Sequence, residues 1–425
     1  MARPIIRVDE KVSLAKGIPL SFQHMFAMFG ASVLVPMLFG IDPAVVLFMN
    51  GIGTVLFIFV GKGKAPAFLG SSFAFLAPTF AVMKAIPDGG FYYACAGYVF
   101  VGLAFIVVAG LIKFVGIKWI DVVLPPATMG PVVALIGLDL AGNAAGNAGL
   151  LPAAGASMDL KVVTVSMITL GVAVIGSVCF RKFLSAVPIL IAIVVGYLVA
   201  IPMGLVDFSP VLAAPIFRLP TFHLPSWRFD MIMVIMPATL VVISEHIGHI
   251  IVTGNIVGKD LTKDPGLHRT LFADGFSTSI SGLVGAVPTT TYGENIGVMA
   301  ITRVYSVWVI GGAGLLSILL GFSGTLAALI QTIPTAVMGG VSILLFGVIA
   351  ASGLRVLVDQ KVDYSKSRNL MLTAIILIVG VSGVSVPVGL SSLSGMTLAT
   401  VVGMILSLLF WLLEKAKLTN DFDAE

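Results

Sequence analysis

Charge is what this sequence has least of: 24 Lys or Arg and 20 Asp or Glu among 425 residues, 10% in all, against about 25% in soluble domains. That shortage excludes a chain whose surface lies mostly in water. Cysteine is scarcer still. The two cysteines, Cys95 and Cys179, sit in apolar runs, so a disulfide framework is excluded and the redox compartment is not encoded. The basic residues fall singly or in pairs in short loops and form no stripe, which excludes a nucleic-acid-binding face. No glycine-rich phosphate loop ending in Lys-Ser or Lys-Thr occurs, so ATP-driven work would need a partner subunit.

What is abundant is hydrocarbon. Hydrophobic residues make up 58% of the chain and the mean hydropathy is +1.10. Apolar runs long enough to cross a core about 30 Å thick recur along the whole length. This is the composition of a polytopic membrane protein of all-α class. The runs predict fourteen spans, at 18–39, 44–61, 67–84, 91–113, 127–141, 162–180, 183–204, 231–252, 270–286, 290–302, 305–321, 334–354, 369–384 and 396–414. An even count puts both termini on one side, and the positive-inside rule tests it. From Arg3, through Arg181 and Lys182, to Lys417, 20 basic residues fall on the side of the N-terminus; Lys84, Lys161, Arg218 and Arg228 are the 4 that do not. One missed or invented span would reverse every later loop and destroy that division. Both termini are therefore expected in the cytoplasm, and the first span, with no small-residue cleavage pattern before Pro36, is expected to stay uncleaved.

Three spans are unusual. The third carries Gly70-Ser71-Ser72-Phe73, the tenth opens with Thr289-Thr290-Thr291-Tyr292-Gly293-Glu294-Asn295, and span 127–141 is short. Irregular backbone at membrane depth is tolerated only where it is buried in protein or lines a cavity, so the third and tenth spans are expected to be broken and to mark a site. An intramembrane carboxylate costs about 2.5–3.5 kcal/mol and is a functional-site hypothesis by default. Glu294 is one. Glu245, one helix upstream, is another.

The chain also matches itself. Gln23-His24 lies over Glu245-His246 at an offset of 222, Ser71-Ser72-Phe73 over Thr290-Thr291-Tyr292 at 219, and the pattern P-x-A-x-M-G-x-V at 125–132 recurs at 334–341, at 209. Seven spans separate the equivalent positions. An odd number inverts the second copy, which predicts a 7+7 inverted repeat with broken segments 3 and 10 meeting at the midplane, the plan of secondary transporters.

Glu245 and His249 are spaced i, i+4 and share a helix face; His246 points elsewhere and is expected to bond a neighbouring helix. Zinc is disfavoured, because a metalloprotease helix needs H-E-x-x-H with its histidines at i, i+4, whereas His246 and His249 are at i, i+3. Gly293 lets backbone approach a ligand, and Phe73 and Tyr292 flank the breaks, where helix N-termini expose N–H donors. Two carboxylates, ring faces and main-chain donors suit a small planar ligand with adjacent N–H and C=O groups.

These residues carry a resemblance. Glu294-Asn295-Ile296-Gly297 through Thr302-Arg303 fits the signature [Q/E/P]-N-x-G-x(4)-T-[R/K/G], Gln23-His24 fits a QH motif, and Ser244-Glu245-His246-x-Gly248-His249 completes the pattern. Over its whole length the chain resembles the nucleobase–ascorbate transporter family, also called the nucleobase cation symporter-2 family. In that family Gln opens the signature of members taking xanthine or uric acid, and Glu that of members taking uracil. The resemblance implies uracil import coupled to protons, with a xanthine or uric acid permease as the alternative. It implies that Glu245, Glu294, Phe73, Tyr292 and Gly293 bind substrate, that His249, Glu245 and Glu294 serve proton coupling, and that Asn295, Gln23 and His24 support the site. It implies no cofactor, no bound metal and no enzymatic activity. It further implies a core domain from 1–120 and 231–322, a gate domain from 121–230 and 323–425, and a homodimer through the gate domains in the cell membrane. Phe346 departs from the tyrosine expected in close relatives.

Overall fold

The computed structural model describes residues 5–152, 155, 157–181 and 184–419; Arg3 and Lys182 of the basic residues lie outside them. Among the described residues fourteen helices have ten residues or more: α1 (Leu14–Phe39), α2 (Pro43–Val60), α3 (Leu76–Ala85), α4 (Gly90–Val115), α5 (Pro126–Asp139), α6 (Leu160–Cys179), α7 (Pro188–Ala200), α8 (Ala238–Val257), α9 (Leu267–Leu283), α10 (Gly293–Thr302), α11 (Val307–Gly321), α12 (Thr335–Asp359), α13 (Ser367–Val381) and α14 (Gly395–Lys415). Eight helical segments are long and apolar enough to cross a membrane, and four apolar helices are shorter. The chain is a multi-pass membrane protein.

Helix ends follow local chemistry. Gly40 takes φ 66° after α1 and returns its N–H to Met37 and Pro36 carbonyls. Two residues on, Asp42 accepts the N–H of Ala44 at 3.0 Å and Pro43 opens α2, the Asp-Pro start that leaves fewer orphan donors in the first turn. The reading of 127–141 as a short span is corrected: after α5 the backbone stays helical at Leu140 (φ −94°, ψ −3°) and continues through Ala141–Asn147. The polar residues that hid this extension from a hydropathy reading satisfy one another, Asn147 Nδ2 donating to Asn143 Oδ1 at 3.1 Å.

Four short strands depart from the all-helical expectation. β1 (Leu69–Ser71) pairs antiparallel with β2 (Thr289–Thr291), Leu69 opposite Thr291, Gly70 opposite Thr290 and Ser71 opposite Thr289. Equivalent strand positions are 220 residues apart, one more than the 219 of the motif match. β3 (Ser385–Val388) and β4 (Ser391–Ser394) form a hairpin whose turn opens with Gly389 at φ 60°, the place where a two-residue turn wants glycine. The hairpin leans on two distant parts of the chain, Ser391 Oγ donating to the Ala81 carbonyl at 3.3 Å and Leu390 N to Asp230 Oδ2 at 3.1 Å.

The helices pack in two groups. In one, α4 lies along α9 and α2 along α11, with α1 on α11; in the other, α12 lies between α5 and α6, and α13 between α5 and α14. Lipid offers no hydrophobic drive between helices, so close backbone approach through small residues does the work. A Cβ on Gly275 would sit 2.6 Å from Phe105 Cβ and 2.7 Å from the Gly102 carbonyl, and Ser279 Oγ donates to the Val99 carbonyl at 3.1 Å. The α2–α11 seam is built alike, with Gly314 against the Gly51 carbonyl and Ser317 Oγ donating to the Leu47 carbonyl at 2.7 Å.

Gly275→Val should therefore push α4 and α9 apart and cost about 1–3 kcal/mol, read as a lower thermal midpoint of the purified protein. Gly110→Ala, also on α4 but with nothing within 4 Å of the new Cβ, should leave the midpoint unchanged or slightly raised.

Candidate functional site

The site is built around the β1–β2 pair. In an apolar medium every backbone N–H and C=O needs a partner inside the protein, and two three-residue strands satisfy each other only in part. Side chains supply the rest. Thr54 of α2 accepts the N–H of Leu69 at 2.9 Å, and Thr278 of α9 donates to the Thr289 carbonyl at 2.9 Å and accepts its N–H at 3.3 Å. Thr289 Oγ1 donates to Ser277 Oγ at 2.8 Å. The hydroxyl-rich run that looked like a break in hydropathy is the material that makes the break tolerable. All six strand residues are buried.

Each strand leads into a helix start that no side chain caps: Phe73 begins a single 3-10 turn ahead of α3, and Gly293 begins α10. Facing them is α8. Glu245 is half-buried. Glu294, in the first turn of α10, is exposed although its neighbour Asn295 is fully buried. A carboxylate there gains from the helix N-terminus. His249, one turn beyond Glu245, reaches the same place: its Nδ1 lies 3.1 Å from Thr291 Oγ1, and a Cβ on Gly293 would lie 3.2 Å from its Nε2. Glycine at 293 thus lets the imidazole come close, and a larger residue would make it give by a few tenths of an ångström. Phe73 is half-buried beside this group. The structure brings Glu245, Glu294, His249, Gly293 and Phe73 to one end of the strand pair.

The remaining predicted residues lie behind it. The ring of Tyr292 is 4% exposed and stacked over Gly70, where a Cβ would meet its Cε1 at 2.9 Å, and its hydroxyl donates to the Ser71 carbonyl at 2.9 Å. The tyrosine locks β2 onto β1 and turns little ring face outward. His24 is buried in α1 and accepts a hydrogen bond at Nδ1 from Asn295 Nδ2, 2.8 Å away, so the two motif residues meet and tie α1 to α10. Gln23 is half-buried at the preceding position. Phe346 is 2% exposed, and its carbonyl lies against Gly137 where α12 crosses α5.

His246 makes the expected bond to a neighbouring helix. Its Nδ1 is 2.8 Å from Asp274 Oδ2 and its Nε2 3.1 Å from Thr270 Oγ1, both on α9, so both ring nitrogens are engaged by protein. Asp274 was not singled out in the sequence, although a lone acid in span 270–286 carries the same signal as Glu245. It is fully buried and also accepts from Thr290 Oγ1 at 3.4 Å. One carboxylate therefore joins α8, α9 and β2.

The arrangement offers two acceptor carboxylates on different helices, an imidazole between them and main-chain donors at the helix starts. Chemically, such a set of groups can hydrogen-bond a small solute presenting N–H and C=O groups. Residues 15–389 match the family model described as the permease family. The chain belongs to this permease family. It is 56% identical to the uracil permease of Escherichia coli (strain K12), over 97% of this chain and 95% of that one, and 55% identical to the uracil permease of Paenibacillus larvae, over 98% and 99%. The uracil permease of Bacillus caldolyticus is 46% identical over 96% and 95%. The resemblance read from the signature at 294–303 is thereby borne out, and the permease is a transporter, not an enzyme. Two solved structures share the fold. The transmembrane domain of the cyanobacterial bicarbonate transporter BicA aligns with a TM-score of 0.60 at 15% identity, covering 95% of this chain and 98% of that one; murine Slc26a9, an anion transporter in the inward-facing state, aligns at 0.70 and 11%, covering 96% and 69%.

Asp274→Ala should leave His246 Nδ1 buried without a partner and cost about 1–3 kcal/mol, seen as a fall in thermal midpoint. If the two side chains act as a pair, adding His246→Ala should cost less than the sum of the single changes.

Proposed function

We propose that this permease imports uracil across the cytoplasmic membrane by symport with protons. The observation that carries the reading is the placement of Glu245 and Glu294 on separate helices at one end of the β1–β2 pair, with His249 against Gly293. Near-full-length relatives named uracil permease supply the substrate. Uracil presents ring N–H groups to carboxylates and carbonyl oxygens to N–H donors, and Phe73 offers a half-buried ring edge beside them. Tyr292 serves from beneath, holding Gly293 in place, while His24 and Asn295 fix α10 and Gln23 stands beside them.

Uracil is neutral, so accumulation needs an ion gradient. Glu245, Glu294 or the Glu245–His249 pair takes the coupled proton. A potential of about 100 mV supplies roughly 2.3 kcal/mol per charge and half a pH unit about 0.7 kcal/mol, together roughly a 150-fold accumulation.

The two helix groups correspond to a core domain (1–120 and 231–322) that carries the site and a gate domain (121–230 and 323–425). Their packing supports an inverted repeat of seven and seven. Moving seven helices along the chain turns the α4–α9 contact into the α11–α2 contact, the α6–α12 contact into α13–α5, and α6–α7 into α13–α14. With the segments containing β1 and β2 counted as broken spans, fourteen cross the bilayer and both termini are cytoplasmic. Transport is then a movement of the loaded core against the gate domain, the gate domains being the fixed, dimerising part.

Glu294→Gln should weaken uracil binding about 10- to 100-fold, the worth of a hydrogen bond to a charged group, measured with radiolabelled uracil on purified protein. Unchanged affinity would remove Glu294 from the site. In the parent protein, binding should weaken as pH rises from 5 to 8, and xanthine should compete poorly; displacement by xanthine at lower concentration than uracil would keep the fold and reverse the substrate.

A further inference from the structure

On the outer surface of the helix group that carries Glu245 and Glu294, α1, α2 and α11 leave a groove of about 810 Å³. Its floor includes Gly17, Gly311 and Gly312. Its rim is apolar and unpacked, with Leu14, Ile18, Phe59, Leu315 and Leu319 each half or more exposed. Along α11 the lining runs from Val307 to Leu319, about 18 Å at 1.5 Å per residue. That is close to the depth of one leaflet of a hydrocarbon core about 30 Å thick.

One end of the groove is charged. Lys11 and Lys62 line it, and Lys11 Nζ lies 4.8 Å from the centre of the Trp308 ring. Neither lysine takes part in an ion pair among the described residues. The carboxylate next to Lys11 is turned away, Glu10 Oε2 accepting from the Arg7 N–H at 3.1 Å. Lys62 holds a left-handed backbone, φ 56°, where most side chains are uncommon. Two unpaired cations therefore stand over an apolar trough one leaflet long.

We propose that this groove binds an anionic phospholipid from the leaflet on the side of the termini. One acyl chain lies along the glycine floor, the phosphate sits between Lys11 and Lys62, and Trp308 marks the headgroup level, where indole rings concentrate in membrane proteins. A zwitterionic lipid fills the same trough but brings no net charge to the lysines. The groove shares α1 with the substrate side: Ser21, on its lining, donates to the Val309 carbonyl at 2.8 Å, and one turn on His24 accepts from Asn295.

The test is lipid retention by the purified full-length protein from micelles holding equal amounts of phosphatidylglycerol and phosphatidylcholine, read by native mass spectrometry. The parent should keep one phosphatidylglycerol per chain in preference. The Lys11→Gln, Lys62→Gln pair should cut that retention about 25-fold, at about fivefold per lysine near a membrane surface. Gly311→Leu should fill the trough and displace the lipid with both charges intact. Gly17→Leu, where a Cβ meets nothing closer than 3.8 Å, does the same if the first variant loses its cooperative thermal transition. Equal retention of the two lipids, or undiminished retention by the double glutamine variant, overturns the headgroup assignment. Undiminished retention by a folded leucine variant overturns the groove.

Discussion

The structure depends on one constraint, that an apolar medium leaves no backbone amide to be solvated. A ligand site that uses main-chain N–H groups needs those groups free, and in such a medium free N–H groups need broken helices. The broken ends are stable because β1 and β2 pair with each other and because Thr54, Thr278 and Ser277 close the amides and hydroxyls that the short ladder leaves over. Every functional side chain discussed above is placed relative to that ladder. His249 touches the Thr291 end, Tyr292 is pressed on Gly70, and Asp274 reaches Thr290.

Two kinds of polar group therefore coexist in the core and are held differently. His246 and Asp274 are fully buried and bonded to each other and to threonines, as an enclosed pair must be if its desolvation is to be offset. Glu245 and Glu294 have no such enclosure: one is half-buried and the other exposed. The enclosed pair holds α8 to α9 and β2, and the open pair is available to a ligand. α8 carries one member of each pair, with Glu245 on the face of His249 and His246 turned toward α9.

Much of this was legible in the sequence. Rare charges single out Glu245 and Glu294, because a carboxylate within an apolar run needs a reason whatever the fold, and Gly-Ser-Ser and Thr-Thr-Thr announce non-helical backbone. The i, i+4 spacing correctly separated His249 from His246. What was not legible depends on distant partners. Asp274 is 28 residues from His246, and nothing local says that α9 turns that carboxylate toward α8. Tyr292 reads as a ring available to a ligand until Gly70, 222 positions earlier, proves to be the surface beneath it. The helical extension to Asn147 was hidden because asparagines that bond each other count as polar in any hydropathy reading.

The ladder also sets an order of assembly. Its strands begin at Leu69 and Thr289, so when the first has entered the membrane its partner has yet to be translated. At about 5–20 residues per second the wait is roughly 10–45 s. During that interval the amides of β1 have hydroxyls such as Thr54 at hand but no strand opposite them. The amino-terminal half must be held by its own helices, or by the insertion machinery, until residue 291 arrives. A ladder shared between two halves of one chain is thus also a checkpoint in biogenesis, closed only when about two thirds of these 425 residues have been made.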